Sequence, residues 1–377
     1  MSALSLPRRR RADRARPGLA IEPRAVASVG VRLGVLAGSL VGAMLVGALL
    51  LAVTGYDPVG VYRDIYDASF GSPLSFSQTL VQTTPLILTA CAAAIAYRVK
   101  LYTIGADGQL LIGAVVASGL ALKLHGLPGP LLIVVALLGG IVGGALWAGI
   151  AGVGRAYLRV DEVISTLMLN FLALYVISYL IVDTHSLWRD TTNPGQAQGA
   201  LLPEKVALPR LFDQADVGIL IAIVVALALA AIVKWTRWGY ELRVIGDSPR
   251  AGRYAGMRIG RKVLTVFLIS GALAGLAGAI QVTTVTQALD STGLSPGLGY
   301  GYTGIVVAAI ARLSFVAILP AGLLMAALLS AGPALELVQV PQSVVLVLQG
   351  TVLLFVAAGQ FLLSYRVRRV VREETSP

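Results

Sequence analysis

Cysteine and histidine are almost absent from this chain: its 377 residues include one Cys (Cys91) and two His (His125, His185). That leaves too little material for a disulfide framework, a zinc site or a thiol–imidazole nucleophile. Charge is scarce as well, at 13% of residues against about 25% in an ordinary soluble domain. The Gly-Lys dipeptide never occurs: Lys100, Lys123, Lys205, Lys234 and Lys262 follow Val, Leu, Glu, Val and Arg. A GxxxxGK[ST] phosphate cradle is therefore missing, so any ATP that drives this chain binds another polypeptide. Redox, metal and intramembrane hydrolytic chemistry all lack their usual residues.

What remains is apolar. Hydrophobic residues make up 56% of the chain, with a mean hydropathy of +0.81, which marks an integral membrane protein. The first apolar run, Val31 to Val53, follows an arginine-rich leader but is too long for a signal-peptide core of about 7–15 residues. It reads as a transmembrane helix. Windows of about 20 apolar residues predict further spans: Thr79 to Tyr97, Thr103 to Leu122, Pro130 to Val153, Val163 to Val182, Val217 to Val233, Val263 to Val285, Tyr302 to Ala311, Phe315 to Ala331 and Ser343 to Leu363. The expected fold is all-α and polytopic, with about 10 transmembrane helices. Tyr302 to Ala311 is too short to span and is expected to be a half-helix or re-entrant segment, covered by protein or lining a cavity.

Charge gives the orientation. In this ten-span arrangement 25 of the 30 Lys and Arg fall on one side, and the positive-inside rule makes that side, with both termini, cytoplasmic. The formal charge of +11 thus reports topology and contact with anionic lipid; nucleic-acid binding is a poor reading. The expected organisation is a basic, unstructured cytoplasmic leader (1–30), one membrane domain (31–363) containing a polar cytoplasmic loop (234–262), and a cytoplasmic tail (364–377).

Within the spans, small residues recur at four-residue spacing, which lets helix backbones approach closely. Gly139, Gly140, Gly143 and Gly144 form two overlapping GxxxG pairs, and Gly271 with Gly275 forms a third. Polar residues are few. Thr103 to Gln109 places Asp107, Gln109 and two glycines at the start of a span; Asp107 either caps or pairs locally, with Lys100 the nearest cation, or belongs to a gate or solute path. Thr166 and Asn170, four apart on one helix face, suit either an interhelical hydrogen bond or a polar path. The candidate pathway residues are Asp107, Gln109, Thr166 and Asn170. The outer loop Asp183 to Asp216, with Trp188 to Pro194, suits a docking surface or a solvated connector equally.

The loop 234–262 holds a second helix signal. Ser248 can cap a helix N-terminus, Pro249 suits the first turn and Gly256 suits the residue that ends it, giving a short helix from Pro249 to Ala255. At about 10 Å it is too short to be stable alone and needs a packing partner. Ala251, Tyr254 and Ala255 share one face, Arg250 and Arg253 another.

Three blocks, Thr84 to Ala114, Leu158 to Ile181 and Ile245 to Val282, resemble the permease subunits of ATP-binding-cassette importers for simple sugars and nucleosides, the ribose-permease-like group. Glu162, Ser165, Thr166 and Asn170 look most like the nucleoside branch; Tyr102, Thr103 and Asp107 depart from the group's usual Asn and Glu. The resemblance implies half of a translocation pathway in a bacterial plasma membrane, with a second permease, cytoplasmic ATPases and an extracytoplasmic binding protein as partners. ATP and magnesium would sit on the ATPase and no cofactor on this chain. It also implies that Gly246, Asp247, Ser248, Pro249, Arg250, Ala251, Arg253, Tyr254, Ala255 and Gly256 form the helix that couples to the ATPase. The rival readings are a branched-chain amino-acid permease of the same class and an ion-coupled secondary transporter.

Overall fold

The computed structural model describes residues 16–23, 29–183, 186–190, 199–290 and 299–372. Thirteen α-helices among them carry the architecture. In chain order they are α1 (Val29–Val53), α2 (Pro58–Phe70), α3 (Pro73–Tyr97), α4 (Ala106–Lys123), α5 (Gly129–Tyr157), α6 (Glu162–Val182) and α7 (Gly218–Trp235). They continue as α8 (Arg237–Asp247), α9 (Pro249–Tyr254), α10 (Ile259–Ile280), α11 (Tyr300–Ile310), α12 (Phe315–Leu337) and α13 (Gln342–Ser364). Seven are long and apolar enough to cross a membrane, and α1 with α2 passes that test only as a pair bent by 119°. Each of the ten expected spans falls on a helix.

α3 threads the centre, and from Thr83 to Ala96 every residue is buried. Pro85 sits inside it; Thr83 donates to the Thr79 carbonyl at 2.7 Å within the helix, Thr79 donates to the Ser69 carbonyl of α2 at 3.1 Å, and the Thr89 hydroxyl lies within reach of the Pro85 carbonyl at 2.7 Å and the Tyr300 carbonyl at 3.0 Å. Around α3 the glycines of α5 seat its neighbours. The Gly140/Gly144 stripe faces α10, where a Cβ at Gly144 would meet the backbone of Gly271 and Gly275. The Gly139/Gly143 stripe faces Leu120 and Val116 of α4. The two overlapping pairs thus serve two different partners. Packing energy between membrane helices comes from such close contact, because lipid supplies no hydrophobic drive.

Hydropathy did not reveal α2. Its Asp57 caps Val59 and Gly60 at 3.1 and 3.0 Å and Pro58 opens the first turn, local signals that sit in a stretch too polar to register as a span. Gly55, at φ +87°, makes the bend from α1 possible. The cytoplasmic loop is also more ordered than expected. Thr236 accepts from Gly239 N–H at 3.2 Å, and the resulting α8 buries Leu242, Ile245 and Gly246.

Two small ribbons complete the fold. Near the outer face β2 (Arg210–Phe212) pairs with β3 (Ala215–Asp216). At the other end Arg16–Pro23 and Tyr365–Arg372 run antiparallel, putting the leader and the tail on one side. Basic helix ends gather there too: Arg98 donates to the Leu313 carbonyl at 2.8 Å and stacks on Phe315 at 4.9 Å, Arg155 pairs with Glu162 at 3.1 Å, and Lys262 pairs with Glu241. Burial, with repulsion from Arg243 added, lowers the Arg98 pKa from its ordinary value.

Candidate functional site

Two places bring the expected residues together. The first lies deep in the bundle. Residues 101–104 have no regular secondary structure, Gly105 forms a turn, and α4 begins only at Ala106. A polar stripe on α6 clamps this segment: Glu162 accepts from Tyr102 N–H at 3.4 Å and Thr166 from Ile104 N–H at 3.2 Å. Asn170 closes the clamp, accepting from Gly108 N–H at 2.9 Å and donating to the Ile104 carbonyl at 2.9 Å and the Tyr302 hydroxyl at 3.1 Å. All three side chains are buried.

The clamp sets the depth of Asp107. Asn170 is eight residues beyond Glu162 on α6, about 12 Å along the helix. Asp107 therefore lies about two turns of α6 beyond Glu162, because residues 101–105 run along α6 before α4 starts. Lys100 is left behind at the Glu162 end. The Asp107 carboxylate instead accepts from Gly301 N–H at 3.1 Å, in the first turn of α11. A Cβ at Gly299 or Gly301 would strike Asp107, and Gly299 sits at φ +90°. With eleven residues, α11 is about 16 Å long, half a bilayer core of about 30 Å. Two half-buried helix starts, α4 and α11, thus meet head to head at one carboxylate. Both helices point their positive dipole ends toward it.

Gln109 is buried beside this junction and its Oε1 has no hydrogen-bond partner among the described residues. The four candidate pathway residues are therefore neighbours, enclosed by protein within this chain. Sequence reading missed Gly299, Gly301 and Tyr302, although the pattern Gly-Tyr-Gly-Tyr-Thr-Gly ahead of an over-short apolar run carried the signal.

The second place is helix α9, in the polar loop that the charge distribution assigns to the cytoplasm. Ser248 accepts from Ala251 N–H at 3.3 Å, Pro249 occupies the first turn, and Gly256 takes φ +78° as Met257 N–H bonds the Gly252 carbonyl at 3.0 Å. The caps stand where the sequence put them. Gly246 and Asp247 belong to α8, and a Cβ at Gly246 would meet the Arg98 carbonyl. Within α9 only Gly252 is buried; Pro249, Arg250, Ala251, Arg253 and Tyr254 are exposed, as are Ala255 and Gly256, and Tyr254 is 94% exposed. Behind α9 a cleft of ≈690 Å³ is lined by Lys100, Arg155, Arg159 and Arg253.

In the outer loop Trp188 turns inward, donating to the Ser118 hydroxyl at 3.0 Å and packing on Gly119 of α4. Thr191, Thr192, Asn193 and Pro194 lie outside the described residues.

Known proteins share this plan. A glucose ABC transporter permease protein of Haloferax volcanii is 31% identical over 360 residues, covering 93% of each chain. A nucleoside ABC transporter permease protein of Lactococcus lactis is 32% identical, covering 85% of this chain and 89% of its own. A guanosine ABC transporter permease protein of Bacillus subtilis is 31% identical, covering 86% and 91%. The family described as branched-chain amino acid transport system / permease component matches residues 75–357, from α3 into α13. The re-entrant α4 and α11 starts and the capped α9 all lie within that match, and the chain belongs to this family of membrane permeases.

Proposed function

We propose that this chain is the permease subunit of an ATP-binding-cassette importer for nucleosides or simple sugars. In this reading it lies in a bacterial plasma membrane, pairs with a second permease and receives solute from an extracytoplasmic binding protein. ATP and magnesium bind the partner ATPase. The observation that carries the coupling is α9: a six-residue helix, capped at both ends, with one glycine buried and every other side chain exposed. Six residues do not hold a helix in water unaided, so α9 is built to be completed by another protein. The chain has no phosphate cradle of its own, which makes the ATPase the fitting occupant.

The solute class rests on the relatives. The family's name points to branched-chain amino acids, while relatives at 31–32% identity across most of the chain are named for glucose, nucleosides and guanosine. The ion-coupled alternative finds no support among these relatives, which are named as ABC transporter permease proteins.

The test is reconstitution of the complete transporter in proteoliposomes with tritiated guanosine, glucose or leucine. ATP-dependent uptake of guanosine or glucose is expected. Uptake driven by an ion gradient without the ATPase would overturn the mechanism, and preference for leucine would overturn the solute class.

A further inference from the structure

On the outer side, where α11 leaves half of the membrane thickness without a helix of its own, the bundle holds a cleft of ≈600 Å³. That is within the usual size range of sites for small ligands, about 300–1,000 Å³. Its hydrogen-bonding groups are Ser75, Gln78 and Gln82 of α3, Gln214 of the β2–β3 turn and Ser330 of α12, with Val81 among the apolar walls. No Asp, Glu, Lys, Arg or His is among the described lining residues. Amides and hydroxyls each donate and accept, so the cleft suits an uncharged solute carrying both kinds of group. A phosphate ester, or the paired charges of an amino acid, would lose water there without gaining a counter-charge.

Two features show that the polar groups are not merely facing solvent. The Ser330 hydroxyl is buried and lacks a hydrogen-bond partner among the described residues, an arrangement that calls for a ligand or water to complete it. Pro333, one turn on, has no N–H to offer the Leu329 carbonyl, so a second polar atom is freed in the same turn of α12. Gln82 reaches inward as well. Its Oε1 accepts from the hydroxyl of Tyr300, the first residue of α11, and the Tyr300 carbonyl accepts from Thr89 at 3.0 Å. Tyr300 is next to Gly301, which holds Asp107. A solute hydrogen-bonded to Gln82 thus stands two side chains from the α4–α11 junction.

We propose that this outer cleft is a transit subsite for an uncharged, hydrogen-bonding solute of nucleoside or sugar type, and that Gln82 and Tyr300 relay its occupancy to α11. The proposal rests on the importer reading for its biological setting but makes a prediction independent of transport. Gln78 is exposed at the cleft, and the single native thiol, Cys91, is fully buried. A Gln78→Cys variant therefore carries one reactive thiol. In the complete transporter, millimolar guanosine or glucose is expected to slow its labelling by a membrane-impermeant maleimide at least about threefold, as mass action requires at concentrations a few times Kd. Leucine and guanosine monophosphate are expected to leave the rate unchanged. Equal protection by all four solutes, or protection by none, overturns the subsite.

A second measurement separates recognition from folding. Gln78→Glu places a charge in the cleft at an exposed position. Solute imported per ATP hydrolysed is expected to fall about fivefold, roughly the effect of one unfavourable polar contact near 1 kcal/mol, with the ATPase rate and the half-saturating solute concentration within about twofold of wild type. Gln78→Asn is expected to restore most of the uptake. Unchanged uptake in Gln78→Glu overturns the subsite, and so does a parallel fall in ATPase rate and uptake. Failure of the wild-type complex to import either solute with ATP overturns the importer reading instead, leaving the thiol-protection result to stand or fall by itself.

Discussion

α9 and the α4–α11 junction use the same materials to opposite ends. Both are short helix starts with glycines close by, and both would be unstable as isolated peptides. At the junction most polar groups are answered inside the chain, the Gln109 amide oxygen apart: Asn170 serves Gly108, Ile104 and Tyr302, and Asp107 serves Gly301. At α9 only the helix's own caps are answered, and Tyr254 and Arg253 face outward. On the proposed importer reading, the difference separates a self-completed element, whose loss is a loss of fold, from one built to meet a partner, whose loss is a loss of coupling.

Substitutions can break or sharpen that contrast. The largest effect is expected from Gly301→Val, whose side chain would fall on the Asp107 backbone; more than about 3 kcal/mol of destabilisation should leave little monodisperse protein on size exclusion. Asn170→Leu removes three hydrogen bonds at once and strands the Gly108 N–H and Ile104 carbonyl, for about 2–4 kcal/mol. Its thermal unfolding in detergent should shift down by several degrees, and a Tm equal to wild type would make Asn170 a path residue and not a clamp. Arg253→Glu with Tyr254→Asp should leave stability within about 0.5 kcal/mol of wild type, as exposed positions do, and Tm nearly unchanged, yet abolish most ATP-dependent uptake. A matching fall in Tm would erase the distinction between the two regions. The smallest effect is expected from Ser248→Ala, which loses one N-cap worth about 1 kcal/mol and should reduce uptake severalfold while co-purification with the ATPase weakens.

The same contrast explains what could be seen in the sequence. Ser248, Pro249 and Gly256 are local signals within nine residues, so α9 was legible. Long apolar runs placed a helix at each of the ten expected spans, seven of them long and apolar enough to cross a membrane by themselves. The junction was not legible, because its bonds join residues 62 to 194 apart in the chain, and hydropathy cannot distinguish a helix that starts at the membrane surface from one that starts inside it. α2 escaped for a different reason: an amphipathic helix lying bent from its neighbour has no apolar window to find.

The paired glycine stripes of α5 bear on which parts of the molecule are able to move. With backbone against backbone at Gly144 and Gly271 and at Gly113 and Gly275, and with Leu120 and Val116 of α4 seated on Gly139 and Gly143, little room is left between these helices to slide. We infer that α4, α5 and α10 travel as a single block through any transport cycle, so that rearrangement falls to the helices outside it. Spin labels on α5 and α10 should hold one separation with and without ATP, and a second distance population would split the block.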